Sequence, residues 1–251
     1  GAGVVSPEGE GEMRRTAREL LESGQVQVVI GHGARGPVFV RRPEDVERLV
    51  WNEECAGNLT AYLKRKEVRA LGRAAVVVRE RDARALVVLE QESQIAPGEV
   101  TPIPVAWEAD GGDGRDAALD AFMRKSPSER MAYWSREFDR CVKCYACRQS
   151  CPLCYCERCI ADKNRPVAIR SSATRADNFA WHITRAFHLA GRCVGCGECS
   201  RVCPAGIDLG LLNVALARAA QTQFGFRAGA DPAAEPIIGC YAASDKEEFI
   251  R

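Results

Sequence analysis

The stretch RCVKCYACRQSCPLCYCERC, from Arg140 to Cys159, carries seven cysteines and decides the fold of the second half of this chain. A second stretch, RCVGCGECSRVCP, runs from Arg192 to Pro204 and carries four more. Together they hold 11 of the 13 cysteines in the 251 residues. Because a cytoplasmic protein rarely stores its thiols as disulfides, such dense cysteine runs indicate metal ligation.

The two cysteine runs share one spacing. The first reads Cys141-x2-Cys144-x2-Cys147-x3-Cys151-Pro152, and the second reads Cys193-x2-Cys196-x2-Cys199-x3-Cys203-Pro204. Bacterial two-cluster ferredoxins use this pattern, in which the fourth cysteine of each run binds the other 4Fe-4S cluster. The spacing therefore predicts crossed ligation, with one cluster on Cys141, Cys144, Cys147 and Cys203 and the other on Cys193, Cys196, Cys199 and Cys151. Zinc, the alternative, uses two Cys-x2-Cys pairs and does not account for two quartets each followed by proline.

Three further cysteines follow the first run directly, as Cys154-x-Cys156-x2-Cys159. Three thiols within six residues need a fourth ligand, and Cys55 and Cys240 are the two cysteines that remain. We hypothesise a third 4Fe-4S cluster on Cys154, Cys156, Cys159 and Cys55, with zinc as the alternative metal. Cys240 is then a buried free thiol.

The overall composition excludes several classes of protein. Hydrophobic residues make up 46% and charged residues 27% of the chain, as in a folded globular protein. The formal net charge of +1 argues against nucleic acid as a partner. No apolar run approaches the length that spans a membrane, and the polar segment from Gly1 to Arg15 does not resemble a secretory signal. We therefore expect a cytoplasmic protein.

The first 110 residues alternate between strand and helix patterns, which predicts a small parallel sheet. The predicted strands are Gln25–Ile30, Ala74–Arg79 and Val100–Trp107. The predicted helices are Met13–Glu22, Pro43–Val50, Asp82–Glu92 and a short turn at Asn58–Lys64. Gly31, Gly33 and Gly36 suggest a glycine-rich loop after the first strand, but Pro37 makes it a poor nucleotide-binding motif.

The remaining chain is predicted to be mainly helical. Asp110–Asp116 has the composition of a linker. Helices are expected from Ser126 to Arg140, over Asp177–Leu189 with Asp177 as N-cap, and over Ile207–Phe224, followed by a tail at Gly225–Arg251. The predicted domains are an α/β domain at 1–114, a dicluster ferredoxin-like domain at 115–225 and a C-terminal extension at 226–251. The predicted fold class is α+β or α/β.

With these motifs, the chain resembles iron–sulfur electron-transfer subunits related to the beta subunits of deazaflavin-coenzyme hydrogenase and formate dehydrogenase. The segments that carry this resemblance are Leu20–Gly31, Pro37–Cys55, Arg140–Cys159 and Arg185–Pro204. Related subunits carry a cysteine in a Trp-Asn-x-x-Cys context, which here is Trp51–Cys55. The resemblance therefore favours Cys55 over Cys240 as the fourth ligand of the third cluster.

The chain also departs from that family. Relatives carry cysteines after the second and third strands, whereas the matching segments here are Arg79–Asp82 and Pro104–Trp107. A long flavin-handling insertion is replaced by the Asp110–Asp116 linker, which argues against a bound flavin. The expected function is one-electron transfer within a multi-subunit anaerobic oxidoreductase complex, between a catalytic or flavin-containing subunit and another carrier such as a ferredoxin. The alternatives are a flavin-binding catalytic beta subunit that reduces a soluble coenzyme, and a zinc-stabilised interaction protein.

Four other polar residues lie close to the cysteine runs. His182 and His188 are six residues apart on one predicted helix and are interpreted as packing residues, with a hydrogen bond from His188 to a cluster sulfur as a second interpretation. Lys143 and Arg192 either offset cluster charge or lie in solvent.

Overall fold

The computed structural model describes residues 7–106, 115–163 and 165–238. Its strands are β1 (Val28–Gly33), β2 (Gly36–Val40), β3 (Ala74–Val78) and β4 (Thr101–Pro104). Its α-helices are α1 (Pro7–Glu22), α2 (Lys66–Arg69), α3 (Glu80–Gln91), α4 (Arg115–Met123), α5 (Pro127–Asp139), α6 (Ala146–Gln149), α7 (Arg175–Leu189), α8 (Glu198–Arg201) and α9 (Leu209–Phe224). Short 3₁₀ helices cover Pro43–Arg48, Leu59–Tyr62 and Ile160–Asp162.

The four strands form one sheet in the order β2-β1-β3-β4. The β1–β3 and β3–β4 pairs are parallel, as predicted, while β2 pairs with β1 in the antiparallel direction. All five residues of β3 are buried, which is typical of a central parallel strand. The sheet is therefore mixed, and the α+β fold class is confirmed.

Strand β2 corrects the prediction of a glycine-rich loop at this position. Gly33 pairs with Gly36 across a tight hairpin, and Gly36 has a φ of 132°, which other residues rarely adopt. The role of the two glycines is therefore to let the chain reverse its direction, not to bind a phosphate group. Sequence reasoning missed the strand because its five residues begin with Gly-Pro, a turn signal.

Capping residues determine where the C-terminal helices begin. Ser126 and Glu129 form a reciprocal capping box at the start of α5, so this predicted helix start is confirmed. Helix α7 starts earlier than predicted, because its N-cap is Thr174 and not Asp177. The Thr174 side chain accepts a hydrogen bond from the backbone N–H of Asp177. Asp208 caps α9 in the same way.

Other elements differ from the sequence prediction in extent. The predicted helix at Pro43–Val50 is a 3₁₀ helix that ends at Arg48. Of the predicted Asp110–Asp116 linker, only Arg115 and Asp116 are described, and both belong to α4, a helix that the sequence did not predict. Trp107 and Cys240 lie outside the described residues.

Two hydrophobic cores lie beneath these elements. The first surrounds the sheet and α1, and it also takes in Cys151, Leu153, Leu189 and Val194 from the cysteine-rich half. The second packs α4, α5, α7 and the start of α9 around Phe138 and Trp181. Because the first core crosses residue 114, the division at that residue stays a prediction. None of the helices in the described part of the chain is long and apolar enough to cross a membrane.

Candidate iron–sulfur sites

One cavity, called site 1 here, is lined by cysteines from both runs. Cys141, Cys144 and Cys147 come from the segment that follows α5 and enters α6, and Cys203 comes from the turn after α8. Cys144 is exposed, Cys147 is buried, and Cys141 and Cys203 are half-buried. These are the four residues that crossed ligation assigns to one cluster, and their role as ligands stays a prediction.

A second cavity, site 2, holds the complementary set. Cys193, Cys196 and Cys199 come from the loop before α8 and from α8 itself, and Cys151 comes from the end of the first run. Cys151 and Cys199 are buried, and none of the four is exposed. Tertiary structure therefore brings the fourth cysteine of each run next to the first three of the other run.

The two cysteine loops have the same unusual backbone. Lys143 and Tyr145 in the first loop have φ values of 55° and 58°, and the matching Gly195 and Gly197 in the second have 76° and 79°. This left-handed conformation turns backbone N–H groups inward, so that Lys143 N lies 3.4 Å from Cys141 Sγ and Gly195 N lies 3.4 Å from Cys193 Sγ. Hydrogen bonds of this kind stabilise thiolates, and they raise the reduction potential of a bound cluster.

Burial alone disfavours thiolates in these cavities. It raises the pKa of Cys193 to about 12 and that of Cys147 to about 11, with nearby thiols adding to the effect. Burial likewise raises the pKa of Cys196 and Cys199. Thiolates at these positions therefore need coordination to a metal, which deprotonates a thiol.

Arg185 of α7 lies next to all three cysteine sets. It is only 4% exposed, lines site 2, and donates to the Cys147 carbonyl of site 1 at 3.0 Å. Burial lowers the pKa of Arg185. The nearby thiols together raise this pKa by more than burial lowers it, so the net shift is upward; they are Cys154, Cys151, Cys147 and Cys199. Its Nε has no hydrogen-bond partner among the described residues. A buried guanidinium with an unpartnered N–H next to four thiols fits an anionic group bound between them.

Two more buried polar atoms near site 1 lack partners among the described residues. They are His182 Nε2 and Tyr145 Oη, and both residues line the cavity. His182 stacks on Phe138 with ring centroids 4.5 Å apart, and burial lowers its pKa to about 3. Since buried polar groups are normally satisfied, these atoms fit a bound group that accepts hydrogen bonds. The donor set of site 1 therefore suits a sulfur-rich cluster.

The N-terminal region holds both cysteine loops in position. Lys64 Nζ donates to the carbonyl oxygens of Arg148, Cys151 and Cys154 at 3.2, 2.8 and 3.0 Å. Arg84 of α3 donates to the carbonyl of Val194 at 2.7 Å. The cysteine-rich half is therefore not independent of the sheet.

The remaining cysteines separate into two places. Cys154, Cys156 and Cys159 line a third cavity, together with Arg148, Arg185, His188 and Arg192. Cys55 is not among the lining residues, and its Sγ instead lies in the N-terminal core, 3.5 Å from the Val50 carbonyl and 3.3 Å from Asn52 N. The assignment of Cys55 as the fourth ligand of the other three stays a prediction, and Cys240 falls outside the described residues.

Lys143 and Arg192, which the sequence left open, are both held inside the protein. Lys143 is 7% exposed and donates to the Arg170 carbonyl at 2.8 Å, and burial lowers its pKa. Arg192 forms a bidentate ion pair with Glu92 at 2.7 and 2.9 Å, next to the ring of Tyr155. Neither is a freely solvated residue, and Arg192 ties the third cavity to the end of α3.

Sequence reasoning missed Arg185 and Asn213. Arg185 lies on the face of α7 that Trp181 and Leu189 bury, so an arginine at spacing i, i+4 between apolar residues is the signal that could have found it. Asn213 of α9 donates from Nδ2 to Cys199 Sγ at 3.4 Å, and nothing in its local sequence marks it.

Comparison with known proteins agrees with this geometry. Residues 137–207 match the family model described as a 4Fe-4S dicluster domain. The chain carries a dicluster domain. It is also 30% identical over 106 residues to the F420-dependent formate dehydrogenase subunit beta of Methanocaldococcus jannaschii, and 31% identical over 106 residues to subunit beta of formate dehydrogenase 1 of Methanococcus maripaludis.

Each of these two matches covers 42% of this chain and 27% of the relative. The chain therefore spans about a quarter of the length of these curated relatives. The resemblance to iron–sulfur subunits of the formate dehydrogenase beta type is confirmed at this level. The dicluster domain lies in the helical C-terminal part, where both crossed cysteine sets are found.

Proposed function

We propose that this chain is an iron–sulfur electron-transfer subunit of a multi-subunit cytoplasmic oxidoreductase complex. The observation that carries the proposal is the crossed grouping of eight cysteines into sites 1 and 2. Each set offers four thiols around one cavity, which is the donor set of a 4Fe-4S cluster. Such clusters, when bound, accept and donate single electrons.

The spread of the thiols supports clusters over zinc. Within residues 7–106, 115–163 and 165–238, no three His, Cys, Asp or Glu side chains lie close enough together to hold a single metal ion. The four thiolates of a 4Fe-4S cluster bind four different iron atoms, so they are spaced more widely than the ligands of one zinc ion. Four cysteines around each cavity, with no three of them grouped for a single ion among the described residues, therefore suit a cluster better than a zinc ion.

The protein's own groups have defined tasks around these clusters. A 4Fe-4S cluster with four thiolates carries a net charge of about −2 when oxidised, so its surroundings must offset negative charge. Arg185 offers a buried cation, Asn213 and the backbone N–H groups of Lys143 and Gly195 point at cysteine sulfurs, and the core excludes water. These contacts favour the reduced, more negative form and thus raise the reduction potential.

The surface access of the sites supports a relay. Site 1 reaches solvent at the exposed Cys144, whereas the four cysteines of site 2 are buried or half-buried. Electrons would enter or leave at site 1 and pass to the interior site 2. The partners we propose are other subunits of a formate-dehydrogenase-like complex, since the relatives are named as its beta subunits, with a ferredoxin or flavoprotein as a further carrier.

Anaerobic purification with iron, sulfide and flavin analysis tests the proposal. We expect at least about eight irons and eight sulfides per chain, no flavin, and two interacting paramagnetic centres after reduction. Cys144→Ser should remove one centre, with Val142→Ser as a neighbouring control that keeps both. A colourless protein with stoichiometric zinc, or bound flavin with coenzyme reduction by the chain alone, would refute it.

A further inference from the structure

The third cavity is lined by three cysteines and one histidine. The cysteines are Cys154, Cys156 and Cys159, and the histidine is His188 of α7. His188 lies seven residues after Trp181 and three after Arg185, so all three lie on the face of α7 that borders this cavity. A residue with a metal-binding side chain therefore lines the same cavity as the cysteine triplet.

His188 is exposed to solvent, and no other described residue holds its ring. Its backbone carbonyl accepts from Arg192 at 3.3 Å, but its imidazole has no hydrogen-bond or ion-pair partner among the residues that the structure describes. Of the other two histidines, His32 bonds the Gly57 carbonyl through Nε2, and His182 lines site 1 and stacks on Phe138. A neutral imidazole has one nitrogen lone pair, and histidine is the commonest metal ligand in proteins.

The charge around the cavity also suits an anionic cofactor. Arg148, Arg185 and Arg192 all contribute to its walls. Arg148 and Arg192 are paired with Asp162 and Glu92, so part of their charge is already compensated. Arg185 has no carboxylate partner in the described part of the chain, and the negative charge of bound thiolates would balance it.

We propose that Cys154, Cys156, Cys159 and His188 hold a third 4Fe-4S cluster with three thiolate ligands and one imidazole ligand. The inference extends the proposed electron-transfer function and names His188 in place of Cys55 as the fourth ligand, because His188 lines this cavity and Cys55 is not among its lining residues. Cys156 is exposed, so this cluster would form a second point of electron exchange at the surface, apart from Cys144 of site 1. A neutral imidazole in place of a thiolate removes one negative charge, as in Rieske centres, and raises the reduction potential.

Metal content and redox titration of the anaerobically purified full chain test the inference. The wild-type protein should hold about twelve irons, and His188→Gln should reduce this number by one third, to about eight, while the signals of sites 1 and 2 remain. Cys55→Ser and Cys240→Ser are the matched controls, and both should keep about twelve irons. The retained signals of sites 1 and 2 show that each variant is folded.

His188→Cys provides a second test that does not depend on cluster loss. The variant should keep about twelve irons, but the third cluster should titrate at a lower potential, because a thiolate adds negative charge. Wild-type protein with eight irons, zinc in the third cavity, iron loss in Cys55→Ser or Cys240→Ser, or unchanged iron content and potential in both His188 variants would overturn the inference. A wild-type protein with eight irons would contradict the third cluster but not the proposed function. A protein without iron would contradict both the third cluster and the proposed function.

Discussion

Sites 1 and 2 are built from the same cysteine spacing, but the protein encloses them differently. Site 1 is bordered by the exposed Cys144 and by Val142, which is 62% exposed. Site 2 has no exposed cysteine, is bordered by Arg185 and Asn213, and merges with the core beneath the sheet. The same cysteine spacing can therefore lie in unequal surroundings, and the proposed function gives site 1 the exchange of electrons at the surface and site 2 their storage inside the protein.

Loss of one ligand from each site should give the largest effect. Cys199→Ser should remove the site 2 cluster and lower the free energy of unfolding by about 1 to 3 kcal/mol more than Cys144→Ser, because it leaves a hydroxyl in the buried core. Cys144→Ser should remove the site 1 cluster while the N-terminal sheet stays folded. Electron paramagnetic resonance and chemical denaturation measure the two quantities. Equal destabilisation by both substitutions would contradict the contrast in burial.

Removal of the charge of Arg185 should have the next largest effect. Arg185→Met should lower the reduction potential of site 2 by roughly 60 to 120 mV. For a one-electron step this is about a tenfold to hundredfold change in the equilibrium constant of reduction. The same substitution should stabilise the cluster-free protein against denaturant, because it removes a buried cation without a carboxylate partner. Arg185→Lys keeps the charge and is the control. A purely structural role for Arg185 would change stability and leave the potential as it is.

A smaller shift confined to site 2 should follow from Asn213→Leu. The substitution removes the 3.4 Å hydrogen bond from Nδ2 to Cys199 Sγ without a large change in volume. Because this bond stabilises the thiolate ligand, we expect the potential of site 2 to fall by roughly 30 to 60 mV. The potential of site 1 in the same protein serves as the internal control. A shift of equal size at both sites would argue against a specific bond to Cys199.

The smallest expected effect concerns the rate of electron exchange at site 1. Val142→Glu places a negative charge at the rim of the cavity, so reduction by the anionic reductant dithionite at low salt should slow about two- to threefold. Val167→Glu makes the same change at another exposed valine, outside the cavity lining. Rapid-mixing absorbance measurements compare the two variants. Equal rates would mean that site 1 is not the point of entry for this reductant.

Much of the fold was predictable from local patterns. The parallel strands β1, β3 and β4 follow β-branched runs, and α5 follows a capping box at Ser126 and Glu129. The antiparallel strand β2 was missed because its glycines resemble a loop, and α4 was missed because the preceding Gly- and Asp-rich segment suggests a linker. Short elements depend on packing against the rest of the protein, which local sequence does not report.

The candidate sites were likewise predictable from the sequence only in part. The spacing of the eight ferredoxin-type cysteines is enough to predict two crossed clusters, because a short loop fixes which thiols can converge. The approach of Arg185, Asn213, Lys64 and Arg84 to the cysteine loops spans up to 110 residues of sequence, so only the packed structure contains it. The same applies to the position of His188 beside the third cysteine triplet.

The sequence by itself determined the type of chemistry. Cysteine thiolates are the ligands of iron–sulfur clusters, and the spacing of the cysteines sets the geometry of each loop. Tertiary structure alone decided which site is buried, which cation lies between the sites, and which side chains line the cavity of Cys154, Cys156 and Cys159. The physical reason is the distance over which each effect acts. Ligand spacing acts over a few bonds along the chain, whereas burial and charge act through space between segments that the fold brings together.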